Sequence, residues 1–347
     1  MTGHDLHHHG DRDLGDGLVD LAVNVRVSAP PPWLAAVITD TVGRLAGYPR
    51  TDEAVAAIAA AHRLSPAQVL PTAGGAEAFT LLARALDPEH PVIVHPQFTE
   101  PEAALIAAGH QPDRVILTPE TGFDLDPADI PADADLIMIG NPTNPTSVLH
   151  PARLIHELIR PGRLVVVDEA FMDAVPGQVE SMIGGVMPGL IVLRSLTKTW
   201  GLAGLRAGYA VGDEWVITGM RGHQPPWSVS TPALAAMVAC LSPDALQIAE
   251  RAAAEIGRHR AYLLDRLAAI GLPVVGSPQA PFVLVDTTPV RGTRPTGWVR
   301  LALREHGFAV RRGETFPGLG PDWVRIAVRE EEITDRFSSA VRRVVRL

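Results

Sequence analysis

Arg194-Ser195-Leu196-Thr197-Lys198-Thr199-Trp200-Gly201-Leu202-Ala203-Gly204-Leu205-Arg206 follows a short apolar run, and its centre carries the only lysine in the chain. Lys and Arg together number 30, so every other cation of this class is an arginine. An arginine side chain keeps its proton and cannot attack a carbonyl, whereas a lysine amine can deprotonate and become a nucleophile. Lys198 is set between two hydroxyls, Thr197 and Thr199, and a glycine-rich run follows it. By itself a lone lysine has an ordinary explanation in an arginine-biased composition. The surroundings shift that balance.

Working outward, short apolar runs alternate with amphipathic stretches. Strands are expected over 91–95, 114–117, 135–139, 163–167, 190–193 and 205–211. Helices are expected over 33–45, 52–62, 76–86, 99–108, 151–159, 213–221, 230–241 and about 244–270. Apolar strands without polar alternation, separated by amphipathic helices, predict an α/β protein with a mostly parallel sheet buried on both faces. Further strands near Pro273, Phe282, Phe308 and Trp323, with helices near Pro295 and Glu331, predict a small α+β unit at the C-terminal end. The expected organisation is a mobile arm over 1–17, a segment over 18–47 that joins the small domain, a large domain over 48–243, and a connecting helix with the small domain over 244–347.

Composition bounds the function. The 347 residues are 46% hydrophobic and 20% charged, which describes a globular protein with a sizeable core. A net charge of −9 offers no general attraction to nucleic acid or an anionic membrane, so an anionic substrate would need specific arginines. The single cysteine, Cys240, excludes an internal disulfide and suits a reducing compartment. No apolar run approaches a membrane span, and no basic segment leads into an apolar one near the start, so a cytoplasmic enzyme is expected. His4, His7, His8 and His9 lack an accompanying carboxylate or thiol framework. They read as a solvated tail, and no metal site is expected.

In an open parallel sheet, ligands sit at the carboxyl ends of the strands. Asp168 ends the run 163–167, Asn144 follows the run ending at 139, and Lys198 follows the run ending at 193. Gly74-Gly75 opens a helix whose free N–H groups suit a phosphate. Ser195, Thr197 and Arg206 add hydroxyls and a guanidinium fork for the same anion. Singly, Asp168 reads as a cap, Asn144 as a turn residue and Arg206 as a surface charge. Together they provide an amine for a carbonyl, a carboxylate for a pyridine nitrogen and a phosphate cradle, the set that pyridoxal 5′-phosphate requires. Nucleotide motifs do not compete: there is no G-x-G-x-x-G, and the sole lysine does not follow a glycine as a Walker A loop demands.

On these residues the chain resembles the fold type I pyridoxal-phosphate enzymes of the aminotransferase superfamily, from about His9 to the last helix. The matching strings are Asn144-Pro145-Thr146, Asp168-Glu169-Ala170-Phe171, Ser195-Leu196-Thr197-Lys198 and Gly204-Leu205-Arg206. The resemblance implies that Lys198 binds the cofactor and then moves the proton, and that Asp168 pairs with the ring nitrogen. It implies Asn144 at the ring 3′-oxygen, Phe98 stacked on the ring, and Phe171 beside it. Gly75, Ala76, Ser195, Thr197 and Arg206 would hold the phosphate, joined by Tyr48 from the other subunit of a homodimer. Arg325 would bind the substrate carboxylate, with Arg311, Asn24 and His9 as further substrate contacts.

The sequence departs from the family pattern in three places. Ser147 stands where a glycine tolerant of positive φ is usual, Phe171 where many relatives have tyrosine, and Asn24-Val25-Arg26-Val27 where an Asn-x-Asn-Pro segment is common. His9-Gly10 and Phe171-Met172-Asp173 resemble the cobalamin-pathway threonine-phosphate decarboxylases, which implies decarboxylation of a small phosphorylated amino acid as the first expectation. Histidinol-phosphate aminotransferase or another amino-acid transaminase is the alternative. A binding or regulatory protein that has kept the fold is a third reading, which intact Lys198, Asp168 and Arg325 oppose.

Overall fold

β-Branched residues dominate the central apolar runs, and Val92-Ile93-Val94, Val165-Val166-Val167 and Ile191-Val192 are all buried. In the computed structural model, which describes residues 4–185, 188–272 and 274–346, these runs form the middle of a seven-stranded sheet. Numbered along the chain after β1 (Val19–Leu21), its strands are β2 (Val69–Ala73), β3 (Pro91–His95), β4 (Asp113–Ile116), β5 (Leu136–Gly140), β6 (Leu164–Asp168), β7 (Leu190–Ser195) and β8 (Ala207–Gly212). Their order is β2-β8-β7-β6-β5-β3-β4. β3 to β7 pair in parallel, while β8 runs antiparallel to both of its neighbours.

Successive strand residues face opposite sides. Val165 and Val167 join an apolar cluster with Ile58, Leu234 and Met237 from helices Asp52–His62 and Thr231–Cys240. Val166 joins another, with Phe79, Leu105 and Ile217 from helices Gly74–Ala85, Glu100–Ala107 and Glu214–His223. This double cover explains why the runs lack polar alternation.

A four-stranded sheet, β1-β10-β11-β9, is completed by β9 (Phe282–Asp286), β10 (Phe308–Arg312) and β11 (Trp323–Ala327). The 26-residue helix Pro243–Ala268 ties the two sheets together. Ala245 and Ala249 near its start belong to the large core, and Leu263 and Leu267 near its end belong to the small one.

Several expectations need correction. Residues 4–17 are not a loose arm. The Asp13 carboxylate is buried 3.1 Å from Arg311 and 2.8 Å from Arg312, and Arg304 donates to the carbonyls of Asp13 and Leu14. Polar composition suggested solvation, but the partners lie near the other end of the chain. The first long helix is Pro32–Asp40 rather than 33–45, followed by a short 3₁₀ turn, Val42–Arg44. Strand β2 went unread because Pro71 and Thr72 look like a turn. The strand expected at Pro273 falls on a residue outside those described, and next to it Val274 makes an isolated bridge to Val285.

Candidate active site

The carboxyl ends of β5, β6 and β7 face β10, β11 and the N-terminal segment across a cavity of about 530 Å³. Asn144, Asp168, Lys198, Arg206, Arg311 and Arg325 all line it, as do His9, Asn24, Phe98 and Phe171. Gly75, Ala76, Ser195 and Thr197 form its other end. Tyr48 is the exception. It is 74% exposed, stacked on Trp227 at 4.2 Å between ring centres, and outside this cavity.

One end is built for an anion. β2 delivers the chain into helix Gly74–Ala85 through Gly74 at φ +76, and a Cβ there would sit 2.6 Å from the Arg206 guanidinium. Only glycine allows that approach. The helix start leaves N–H groups without helical partners, and its dipole adds positive potential. Ser195 Oγ and Thr197 Oγ1 lie 2.7 Å apart on the same side. Backbone donors, two hydroxyls and one guanidinium fit a phosphate group.

In the middle, burial lowers the Lys198 amine to about 8, helped by the charges of Arg325 and Arg206 and opposed by Asp168. Burial raises the Asp168 carboxyl to about 6, against a hydrogen bond from the Ala170 N–H and the attraction of Lys198. Burial disfavours the charged form of each group, a perturbation of the kind that marks functional sites. The lysine turn is pinned from above, where the Arg26 N–H donates to the Lys198 carbonyl at 3.1 Å. Gly201, at φ +68, lies so close to residues 27–29 that a Cβ would come within 3.0 Å of them.

Sequence reading missed the network behind these residues. Arg194 in β7 lies 3.0 Å from Glu169 and 2.7 Å from Asp173, and it also donates to Gln178 and Ser181. Glu169 accepts further bonds from Ser181 Oγ and the Met182 N–H. A buried ion network of this kind fixes geometry more than it adds stability. Here it locks the neighbours of Asp168 to the strand that leads into Lys198. The only sequence signal was charge directly after an apolar run, Arg194 after 190–193 and Asp168-Glu169 after 164–167.

At the far end Arg325 donates to Asn144 Oδ1 and to the Ala22 carbonyl, with its guanidinium over the Phe282 ring at 5.2 Å. Phe282 in turn meets Phe171 edge-on at 4.9 Å. Among the described residues, Arg325 Nε and Asn24 Oδ1 are buried without a hydrogen-bond partner. Buried polar atoms are rarely left unpaired, so both suit a bound ligand. Arg311 differs. Asp13, the His8 carbonyl and Thr315 Oγ1 accept from its two terminal nitrogens, and its neighbour on β11 is Arg325. His9 reaches Glu100 Oε1 at 2.6 Å, so the N-terminal segment closes one wall.

Ser147 retains the left-handed conformation at φ +65 that a glycine would be expected to supply. Its Oγ accepts the Ala280 N–H at 2.8 Å, and its carbonyl accepts the Gln279 N–H at 2.8 Å. A turn residue thereby joins the Asn144 loop to the segment before β9. The donors at one end, the amine and carboxylate between, and the unpaired polar atoms at the other together fit pyridoxal 5′-phosphate with an amine substrate.

Similarity to known proteins agrees with this geometry. Residues 16–341 match the family described as aminotransferase class I and II. A Mycobacterium tuberculosis protein named histidinol-phosphate aminotransferase is 45% identical over 327 residues, covering 93% of this chain and 87% of its own. A threonine-phosphate decarboxylase of a Sinorhizobium species is 34% identical over 325 residues, covering 91% and 89%. The solved Clostridium acetobutylicum histidinol-phosphate aminotransferase shares the fold, with a TM-score of 0.84 over 95% of this chain and 99% of its own at 24% identity. A variant of Thermus thermophilus aspartate aminotransferase superposes with a TM-score of 0.81 at 27% identity, covering 95% and 91%. The identities rank aminotransferase names above the decarboxylase expected first from His9-Gly10 and Phe171-Met172-Asp173. Those short strings are weaker evidence than similarity along the whole chain. The chain is a fold type I enzyme of the class I and II aminotransferases, and its cofactor is pyridoxal 5′-phosphate.

Proposed function

We propose that this enzyme transfers the amino group of a phosphorylated amino alcohol of the histidinol phosphate type to a 2-oxo acid. The observation that carries the reading is the 45% identity, over 93% of this chain, to a protein named histidinol-phosphate aminotransferase, against 34% to a threonine-phosphate decarboxylase. Arg325 is the cation left for an anionic group of the substrate, while Arg311 already donates to Asp13, the His8 carbonyl and Thr315 Oγ1.

When bound, pyridoxal 5′-phosphate supplies a ring that accepts the electron pair released at the substrate carbon bearing nitrogen. Gly75, Ala76, Ser195, Thr197 and Arg206 hold its phosphate, and Asp168 holds a proton at the ring nitrogen. Asn144 donates toward the ring oxygen, and Phe98 and Phe171 shape the walls. Lys198, with its amine lowered to about 8, is near enough to neutrality to take a proton at Nζ and return it. Arg325 orients the anionic group of the substrate, and Asn24 takes one of its polar atoms.

We further infer a homodimer in which Tyr48 reaches the phosphate site of a second copy. Tyr48, Trp227, Val42 and Leu45 are large apolar side chains left exposed on this chain, as a covered surface would require. The large domain expected over 48–243 gains helix Pro32–Asp40, whose Leu34 packs in its core, while β1 pairs with β10 in the small domain that includes most of 244–347. The decisive experiment supplies cofactor-loaded protein with histidinol phosphate and 2-oxoglutarate and measures glutamate formation. Carbon dioxide released from threonine phosphate without any 2-oxo acid, and no glutamate, would replace this reading with decarboxylation.

A further inference from the structure

We propose that Glu100, held by His9, is a specificity-determining acceptor for an N–H group on the ring at the distal end of the substrate. The inference rests on the amino-transfer reading above and names what that site selects. Glu100 is the first residue of helix Glu100–Ala107, two positions after Phe98, and it lines the cavity. His9 occupies Oε1 at 2.6 Å, and among the described residues no hydrogen bond engages Oε2. The bond from His9 holds the Glu100 carboxyl below its ordinary value despite the opposing effect of burial. The helix start favours the same ionised form. A carboxylate accepts and does not donate, so this wall selects a donor and repels a second anion.

The neighbouring walls define the shape of the group. Phe98 and Phe316 also line the cavity, and the His9 ring lies 5.5 Å from that of Phe98. Aromatic walls with one anionic edge suit a flat ring that carries N–H, an imidazole being the smallest such group. His9 acts as a positioning residue. It spans from the N-terminal segment to the large domain, beside a second bond from Thr99 Oγ1 to the Leu6 carbonyl at 2.6 Å. Gly10 permits this path, since a Cβ there would meet the Ala22 carbonyl at 2.6 Å.

The test compares histidinol phosphate with phenylalaninol phosphate, which shares amine, chain and phosphate but has a ring without N–H. For the loaded wild-type enzyme, kcat/KM should favour histidinol phosphate. Losing a charge-assisted hydrogen bond should lower that preference roughly tenfold or more in Glu100→Ala, and by less in Glu100→Gln, which keeps an acceptor oxygen. Dissociation constants for the two compounds, measured calorimetrically on the cofactor-loaded Lys198→Ala variant with and without Glu100→Ala, should show the same selective loss. A merely structural role would weaken both compounds alike and leave their ratio unchanged, which would overturn the proposal while amino transfer stands. If wild type transfers from neither compound, both the proposal and the reading beneath it fall.

Discussion

Replacing Lys198 with methionine should make the cofactor-free protein more stable. In the folded chain the amine sits at about 8 rather than 10.5, mainly through burial and then through Arg325 and Arg206. At 1.36 kcal/mol per pH unit, that depression corresponds to about 3 kcal/mol held against folding. The unfolded chain binds this proton more tightly, so between about 8 and 10.5 it carries more protons and stability rises with pH. Below pH 8 the penalty is fully present. Lys198→Met should therefore gain about 3 kcal/mol at pH 7, and the gain should vanish as pH approaches 10.5. With an unfolding entropy near 2.1 cal/mol/K per residue, a chain of this length should show a midpoint shift of about 4 °C. Part of the gain is offset because Asp168 loses a favourable neighbour. In an Asp168→Asn background, where that attraction is already absent, the gain should be at least as large. Tryptophan fluorescence melts of cofactor-free protein at pH 7 and 10.5 provide the assay. No gain at pH 7, or an equal gain at both pH values, would refute the assignment of a strained buried amine.

Two further outcomes follow from the turns around the site. Ser147→Ala keeps the positive φ and loses the bond from Ala280, so urea denaturation should show a loss of about 2 kcal/mol. Ser147→Gly loses the bond but relieves the backbone, and should rank between wild type and alanine. Gly74→Ala places a methyl 2.6 Å from the mobile end of Arg206, so the arginine should swing away while the fold survives. Cofactor affinity, titrated by absorbance, should fall roughly tenfold or more in that variant with little change in the far-ultraviolet spectrum.

Local pattern was enough to read the central strands and the residues at their carboxyl ends, because doubly covered strands leave an unbroken apolar signal. Lys198, Asp168 and Asn144 became visible as a set once those strand ends were located. The reading was poorest where partners are far apart in sequence. Asp13 sits in a polar segment that looks solvated, and only its pairing with Arg311 and Arg312 makes it buried. Glu100 reads as a helix-start carboxylate, and nothing nearby announces that His9 joins it across the cavity. β8 was read as a strand, but its reversed direction could not be, since direction depends on pairing rather than on composition. Ser147 shows the converse limit: the missing glycine looked like a defect, and its hydroxyl proves to be a tie to Ala280.

The reversed strand also bears on how the protein is assembled. β8 joins β7, its close neighbour along the chain, to β2, which was synthesised much earlier. Gly74 and Arg206, which face each other across the anion cradle, are roughly 130 residues apart, and pairings of that separation form slowly because a long loop must close first. Until β2 docks on β8, the helix start and the guanidinium do not meet, although Lys198 and Asp168 already lie at the ends of adjoining strands. The cradle is thus a late product of folding, and the cofactor can be captured firmly only by chains that have finished closing the sheet. In refolding experiments, recovery of tight cofactor binding should lag the recovery of helical signal.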